Sequence, residues 1–325
     1  MTQPTPAHED EAAARTAFAA DVAEAFARHP RQIPSTYLYD ELGSALFEAI
    51  CRLPWYRITR AESSLLARYA RDILRPLARP VSLAELGCGS GEKIALLVSA
   101  AGERFPQIQL VDVSQAALDM ARYRLQAIGM RAVLTHHVPY EQGLVRAAQQ
   151  RPRDGSLVVL FLGSNIGNFA PPVARGLLAH IRRVLRPGDA LLLGADLVKP
   201  ERELLLAYDD PLKVTAAFNR NLLRRINDEL GGNFDLERFT HRATWNAAER
   251  RVEVYLVSAR AQRVAIPGAR IDVELGEGEA IWTESSHKYE PEQVLEEGMA
   301  AGFSGGEQWI DRDAKFALTR FGIAG

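Results

Sequence analysis

Residues 83–93, Leu-Ala-Glu-Leu-Gly-Cys-Gly-Ser-Gly-Glu-Lys, constrain the fold of this chain more than any other stretch. An apolar run ends at Leu86, and beyond the glycines Ile94, Leu96, Leu97 and Val98 begin a helical pattern. Strand, glycine turn, helix is the setting in which a Gly-rich loop carries meaning. Gly87, Gly89 and Gly91 have no Cβ, so the backbone can turn tightly and come close to a ligand. Their spacing is G-x-G-x-G after acidic Glu85, not the G-x-G-x-x-G that suits a pyrophosphate. A ligand without phosphates can use such a turn.

A second apolar run, residues 108–113, carries Asp112 near its end. An acidic side chain at the tip of a second strand is placed to accept hydrogen bonds from both ribose hydroxyls of an adenosine. Ser114 then reads as an N-cap, with Ala117, Leu118, Ala121 and Leu125 forming an apolar helical face. The plainer alternative is an ordinary α/β domain in which Asp112 only caps a loop. Adenosyl recognition without phosphate points to S-adenosylmethionine, and so to a methyltransferase of the doubly wound type.

At 325 residues the chain has room for about two domains. It is 47% hydrophobic and 25% charged, with a net charge of −2 and no basic run, which disfavours nucleic acid and anionic membrane as partners. The two cysteines, Cys51 and Cys88, argue for a reducing compartment and against a disulfide framework. A polar, acidic start and the lack of a long apolar stretch lead us to expect neither signal peptide nor anchor. A cytoplasmic monomer acting on a small molecule is the expectation.

Residues 1–9 are polar and expected to be disordered. From about Glu11 to Ala27 the pattern predicts a helix with Phe18, Val22, Ala25 and Phe26 on one side. Tyr37, Tyr39, Trp55 and Tyr56, set among Gly and Pro, suggest irregular structure carrying aromatic surface over 34–60. Residues 61–74 read as a helix, ended by Pro76 and Pro80. Strands are expected at 132–136 and 157–161, the latter running into Leu-Gly-Ser-Asn-Ile-Gly-Asn168. Ligands collect beyond the carboxyl ends of such strands, so Gly163, Ser164 and Asn168 belong at the rim of a site. A helix over 171–185 and a fifth strand over 190–198 complete the rhythm. From Lys199 it breaks into two helices and alternating stretches at 243–246 and 252–259. Residues 281–289 read as a strand or loop with one polar side. A helix at 291–302 and a hairpin from 307–311 and 315–321 close the chain.

Metal and covalent chemistry find no support. His136 and His137 are adjacent, on opposite faces if extended, and lack a ligand set. Neither cysteine has the neighbours of a nucleophile.

The combination Tyr39-Asp, Gly-Ser, Leu-Phe, Leu-Pro-x-Tyr56 and Thr-Arg60, followed by Glu85-Leu-Gly-x-Gly-x-Gly-x-Lys93 and Gly163-Ser-x-Ile-Gly-Asn168, resembles the histidine N-alpha-methyltransferase family. Val214-Thr-Ala, Phe218-Asn-Arg-Asn221 and Thr283-Glu-x-Ser-x-Lys-Tyr289 extend the match, collinear from about residue 34 to 321. Enzymes of that family make trimethylhistidine (hercynine) in ergothioneine biosynthesis.

The resemblance implies a doubly wound, Rossmann-like class I S-adenosylmethionine methyltransferase sheet with an inserted α+β substrate-binding domain. The first would comprise 62–198 plus 289–325, the second 1–61 plus 199–288. It further implies that Gly87, Lys93 and Asp112 hold S-adenosylmethionine within the turn completed by Gly89 and Gly91, with Gly163 near the transferred methyl. S-adenosylhomocysteine would be the product and no metal would be needed. Asn168 and Tyr208 would bind the substrate carboxylate, and Tyr39, the expected catalytic residue, would lie by the amine. Tyr56, Glu284 and Ser286 would face the imidazole.

Two positions depart from the family pattern. Pro139-Tyr140 stands where an Asp-Phe pair is usual, leaving Tyr140 at the adenine without the expected acceptor. Val254 stands where a Met is expected beside the imidazole, and one or two missing methylenes are worth only about 1–3 kcal/mol of discrimination. Tryptophan or tyrosine as substrate, and a non-catalytic S-adenosylmethionine-binding protein, are the alternatives.

Overall fold

The computed structural model describes residues 6–324. Helix α1 (Pro6–Ala27), the two-residue strand β1 (Arg31–Gln32), α2 (Glu41–Arg52) and α3 (Ile58–Leu74) precede the glycine turn. Strands and helices then alternate as β2 (Val81–Leu86), α4 (Glu92–Ala101), β3 (Ile108–Asp112), α5 (Gln115–Ala127), β4 (Val133–His137), α6 (Tyr140–Gln149), β5 (Ser156–Phe161), α7 (Pro171–Val184) and β6 (Ala190–Asp196). Next come α8 (Glu201–Tyr208), α9 (Val214–Leu230), β7 (Phe239–Asn246), β8 (Arg251–Ser258), β9 (Gln262–Ile266), β10 (Ile271–Leu275) and β11 (Ala280–His287). The chain ends with α10 (Pro291–Ala300), β12 (Gly306–Asp311) and β13 (Phe316–Gly322). It divides into two compact units. One, the sheet unit, is Cys51–Glu203, Ala247–Arg251 and the chain from Ser286; the other, the insert unit, is the chain up to Ile50, Leu204–Asn246 and Val252–Ser285. Residues 51–61 thus fall in the sheet unit.

The sheet unit is built on a seven-stranded sheet in the order β12-β13-β6-β5-β2-β3-β4. β6, β5, β2, β3 and β4 are parallel, and the β12–β13 hairpin joins antiparallel through β13 to β6. Every residue of β2, β5 and β6 is buried, as a parallel sheet covered on both faces requires. Helices α3, α4 and α5 pack together on one side, and α6, α7 and α10 on the other. The chain leaves after β6 and returns at Tyr289, and the two ends are tied: Val198 N–H donates to Tyr289 O at 3.0 Å and Tyr289 N–H to Asp196 O at 3.1 Å.

In the insert unit β1, β11, β8 and β7 form a sheet in that order, with β9 and β10 a separate antiparallel pair. Phe18, Val22, Ala25 and Phe26 of α1 are buried, the face the sequence pattern predicts. Helix α9 buries Phe218, Leu222, Leu223 and Ile226 along one stripe at helical spacing.

Three expectations are corrected. Helix α1 opens at Pro6 rather than Glu11, so residues 6–9, expected to be disordered, are helical; residues 1–5 lie outside the described residues. The stretch 34–60 is not irregular: it holds the 3₁₀ turn Ser35–Leu38, all of α2 and the start of α3. Asp40 caps α2, its Oδ1 accepting from Gly43 N–H at 2.6 Å. Gly43 is there for space, since a Cβ would sit 1.8 Å from Leu38 O. Nor does this stretch expose all its aromatics, because Tyr56 is buried.

Candidate active site

In a sheet of this order the crevice opens beyond the carboxyl ends of the strands, where β3 and β5 diverge on either side of β2. Gly87–Gly91 follow β2, Asp112 ends β3, Tyr140 opens α6 after β4, and Gly163–Asn168 follow β5. All are in the sheet unit. Gly91 shows why the turn needs glycine: its φ is +71°, and a Cβ would lie 2.6 Å from that of Ala121 on α5. At Gly89 a Cβ would meet nothing within 4 Å, so the turn faces open space there.

Asp112 Oδ2 accepts from Gly89 N–H at 3.0 Å and Oδ1 from Ser114 N–H at 2.9 Å. Each oxygen keeps a lone pair, so the carboxylate has an acceptor for each of two vicinal hydroxyls. Burial raises its pKa, and those same backbone donors oppose the rise. Tyr140 sets its ring edge-on to Phe161 at 5.3 Å and to Phe169 at 6.2 Å, forming an aromatic wall beside the turn. Burial, with the charge of Asp112 adding to it, pushes the Tyr140 phenol up and keeps it neutral.

Deeper in the crevice lies a cluster that spacing in the sequence did not reveal. Glu62 of α3 has a fully buried side chain, pairs with Lys93 Nζ at 2.6 Å and accepts the Gly163 N–H on both oxygens at 2.9 Å. Its signal was present. Ile58, Ala61, Leu65 and Leu66 form the apolar stripe of α3, and Glu62 sits within it. Burial works against the Lys93 charge, yet Glu62 holds its pKa above the ordinary lysine value. Glu85, 1% exposed, has its Oε2 without a hydrogen-bond partner. Burial pushes its carboxyl well up; Lys93 pulls it down, while Glu62 and Asp112 push it further. The Cys88 thiol is also held up, by burial and then by Asp112 and Glu85, which is the reverse of an activated nucleophile.

Glycine turn, ribose-type carboxylate, aromatic wall and a Lys–Glu pair whose carboxylate is buried together fit S-adenosylmethionine. The open Asp112 lone pairs suit its ribose, and Lys93 and the partnerless Glu85 oxygen suit the carboxylate and ammonium of its amino-acid end.

Asn168 ends the 3₁₀ turn Asn165–Asn168, whose preceding residue Ser164 accepts the Asp196 N–H on its Oγ at 2.9 Å. Tyr56 and Ser286 are buried in the same unit. Ser286 Oγ lies 2.8 Å from Lys288 Nζ, which pairs with Asp196 Oδ2 at 2.9 Å. Lys199 Nζ takes the other Asp196 oxygen at 2.6 Å. One carboxylate therefore serves two buried ammonium groups. Burial lowers the Lys199 pKa despite Asp196, and Lys288 lowers it further.

The remaining predicted residues are in the insert unit. Val254 is buried with Leu204, Tyr208 and Val252 in one cluster. Thr283 Oγ1 donates to Val254 O at 3.0 Å, which puts half-buried Glu284 next along β11. Tyr39, half-buried, rests edge-on against Phe47 and Phe218, each at 5.5 Å. The backbone of Tyr208 is held by His241, whose Nε2–H donates to Tyr208 O at 2.8 Å while its Nδ1 accepts from Asn219 Nδ2 at 3.1 Å. Burial lowers the His241 pKa, and a second ring N–H would face a donor. A histidine kept neutral by the fold stabilises it fully above about pH 6.5, and that contribution is lost as pH falls below the unfolded value. His241→Gln, which keeps the Nε2-type donor, should therefore lose less stability between pH 7.5 and 5.5 than the unsubstituted chain. The difference in urea unfolding should reach up to about 1.4 kcal/mol; parallel pH dependences would exclude it.

The central parallel strands, the antiparallel edge hairpin and the β2 glycine turn define a class I S-adenosylmethionine-dependent methyltransferase fold. A family model described as histidine-specific methyltransferase, SAM-dependent, matches residues 18–322. A histidine N-alpha-methyltransferase of Mycobacterium tuberculosis is 37% identical over 96% of this chain and 97% of that protein. One of Mycolicibacterium smegmatis is 37% identical over 94% and 95%. An ergothioneine biosynthesis protein 1 of Schizosaccharomyces pombe is 30% identical over 66% of this chain and 29% of its own length. This chain belongs to the SAM-dependent histidine-specific methyltransferase family.

Proposed function

We propose that this protein transfers methyl groups from S-adenosylmethionine to the α-amino group of L-histidine, up to trimethylhistidine, the hercynine of ergothioneine biosynthesis. The observation that carries this is the family match over nearly the whole chain, joined to a crevice whose donors and acceptors suit an adenosyl amino acid. In this reading Gly87, Gly89, Gly91, Lys93, Asp112, Tyr140 and Gly163 serve the cofactor. Tyr56, Asn168, Tyr208, Val254, Glu284 and Ser286 serve the amino acid, within a two-part organisation of methyltransferase and substrate-binding domains.

Methyl transfer from a sulfonium to an amine is an in-line displacement onto a neutral nitrogen lone pair. Holding sulfur, methyl and nitrogen in line supplies much of the rate. Tyr39 orients the α-amine, and as methyls accumulate its ring face stabilises the fixed cation by about 0.5–2 kcal/mol. Lys288 Nζ can only donate, so Ser286 Oγ accepts from it and turns its own proton elsewhere. That suits a neutral imidazole nitrogen, while Glu284 suits the ring N–H. The polar pair thus selects histidine, and Val254 limits bulk only weakly.

The test offers S-adenosylmethionine and an equimolar mixture of the twenty amino acids, followed by mass spectrometry. Three methyls on histidine alone are expected. Methylation of tryptophan or tyrosine instead would reassign the substrate to the room left by Val254. In the same assay Tyr39→Phe should shift the balance of mono-, di- and trimethyl products; unchanged ratios would remove Tyr39 from the reaction.

A further inference from the structure

We propose that Glu62 is a positioning residue for the amino-acid end of S-adenosylmethionine, acting through Lys93 and the Gly163 amide. This rests on the reading of the glycine crevice as the S-adenosylmethionine site. Lysine is a compact charge on a flexible stem, and a ligand carboxylate gains little from a cation that must first be immobilised. Here the immobilisation is built in. Glu62 takes one of the three Lys93 donors at 2.6 Å from a fully buried position, while the Lys93 side chain keeps 21% of its exposure. The ammonium is therefore anchored on one side and reachable on the other.

The same carboxylate accepts the Gly163 N–H on both oxygens, which ties the turn after β5 to the first turn of α4. Gly163 has φ +76°, and a Cβ on it would lie 2.8 Å from Lys93 Nζ. The fold also reserves the space Glu62 occupies: a Cβ at Gly194 of β6 would lie 2.0 Å from Glu62 Oε1. Helix α3, strand β6, the end of β5 and the start of α4 thus converge on one carboxylate. The nearby Glu85, buried with a partnerless oxygen, gives the cluster an acceptor to set beside the fixed cation. A fixed ammonium beside a buried carboxyl oxygen that still lacks a partner is the complement of a zwitterionic α-amino acid.

The test compares two ligands by calorimetry: S-adenosylhomocysteine, and 5′-methylthioadenosine, which has the same nucleoside and thioether but no amino-acid end. Glu62→Gln keeps an oxygen for Gly163 and removes the charge. It should weaken S-adenosylhomocysteine by about 10–100-fold and methylthioadenosine by less than about twofold, since charged hydrogen bonds supply the difference. Because Glu62 acts through Lys93, Glu62→Gln combined with Lys93→Met should bind S-adenosylhomocysteine no more weakly than Lys93→Met alone. Equal losses for both ligands, or additive losses in the double variant, overturn the proposal. If Glu62→Gln does not fold, Glu62→Asp replaces it; the shortened carboxylate should show a smaller loss with the same ligand selectivity, and equal losses overturn the proposal there too. An unsubstituted chain that binds neither ligand would instead overturn the cofactor reading itself.

Discussion

Asp112→Ala is expected to weaken S-adenosylhomocysteine binding by at least about 100-fold. A hydrogen bond to a charged acceptor is worth about 1.5–3 kcal/mol, and this carboxylate has a free lone pair for each ribose hydroxyl. The substitution has a second effect within the protein: it releases the Gly89 and Ser114 amides and so loosens the turn itself. Asp112→Asn keeps one acceptor oxygen and should fall between the two. Calorimetry with the 2′-deoxy analogue separates the contributions. The unsubstituted chain should bind that analogue at least about tenfold more weakly than S-adenosylhomocysteine, whereas Asp112→Ala should no longer distinguish them. An Ala variant that still discriminates would move ribose recognition to another group.

The largest stability effect is expected at Asp196. Asp196→Leu leaves Lys288, whose side chain is fully buried, and Lys199, at 8% exposure, without their shared carboxylate. Removing one partner of a buried ion pair costs about 3–5 kcal/mol, a large part of the total stability of an ordinary domain. Lys199, whose charged form burial already disfavours, can shed its proton and limit the loss. Lys288→Met in the Asp196→Leu background should therefore restore part of the stability, because it removes the more deeply buried charge. Urea unfolding of the single and double variants measures this. A single variant within about 1 kcal/mol of the parent, or a double variant no more stable than the single, would show that the charges do not hold this corner together.

Much of the nucleotide-type half of the molecule was legible because local rules suffice there. Three glycines, an apolar run on either side and an acidic tip 25 residues after Gly87 are short-range signals, and parallel strands buried on both faces read as continuous apolar runs. The rim at Gly163–Asn168 followed from its place after β5. What escaped depends on partners distant in sequence. Glu62 and Gly163 are separated by 101 positions, and nothing near either announces the other. Asp196 and Lys288 are likewise far apart in sequence until the fold brings them to 2.9 Å. Helix α2 was missed for a different reason. Gly43 and the flanking aromatics read as irregular structure, and only Leu38 O, 1.8 Å from where a Cβ would be, shows why glycine is required within that helix. The β9–β10 pair, Gln262–Leu275, lies beyond the alternating stretches that the sequence predicts at 243–246 and 252–259.

The tied exit and return of the chain at Asp196–Val198 and Tyr289 bears on how such an enzyme can diversify. Because the two ends are already hydrogen-bonded to each other in the sheet unit, what is threaded between them can change in length and composition without reopening the sheet. In the function proposed above, Tyr208, Val254 and Glu284 lie in that segment, so part of acceptor choice becomes heritable apart from donor chemistry. On that proposal a lineage can vary the intervening segment, or single residues in it such as Val254, while the sheet and its glycine turn are inherited unchanged.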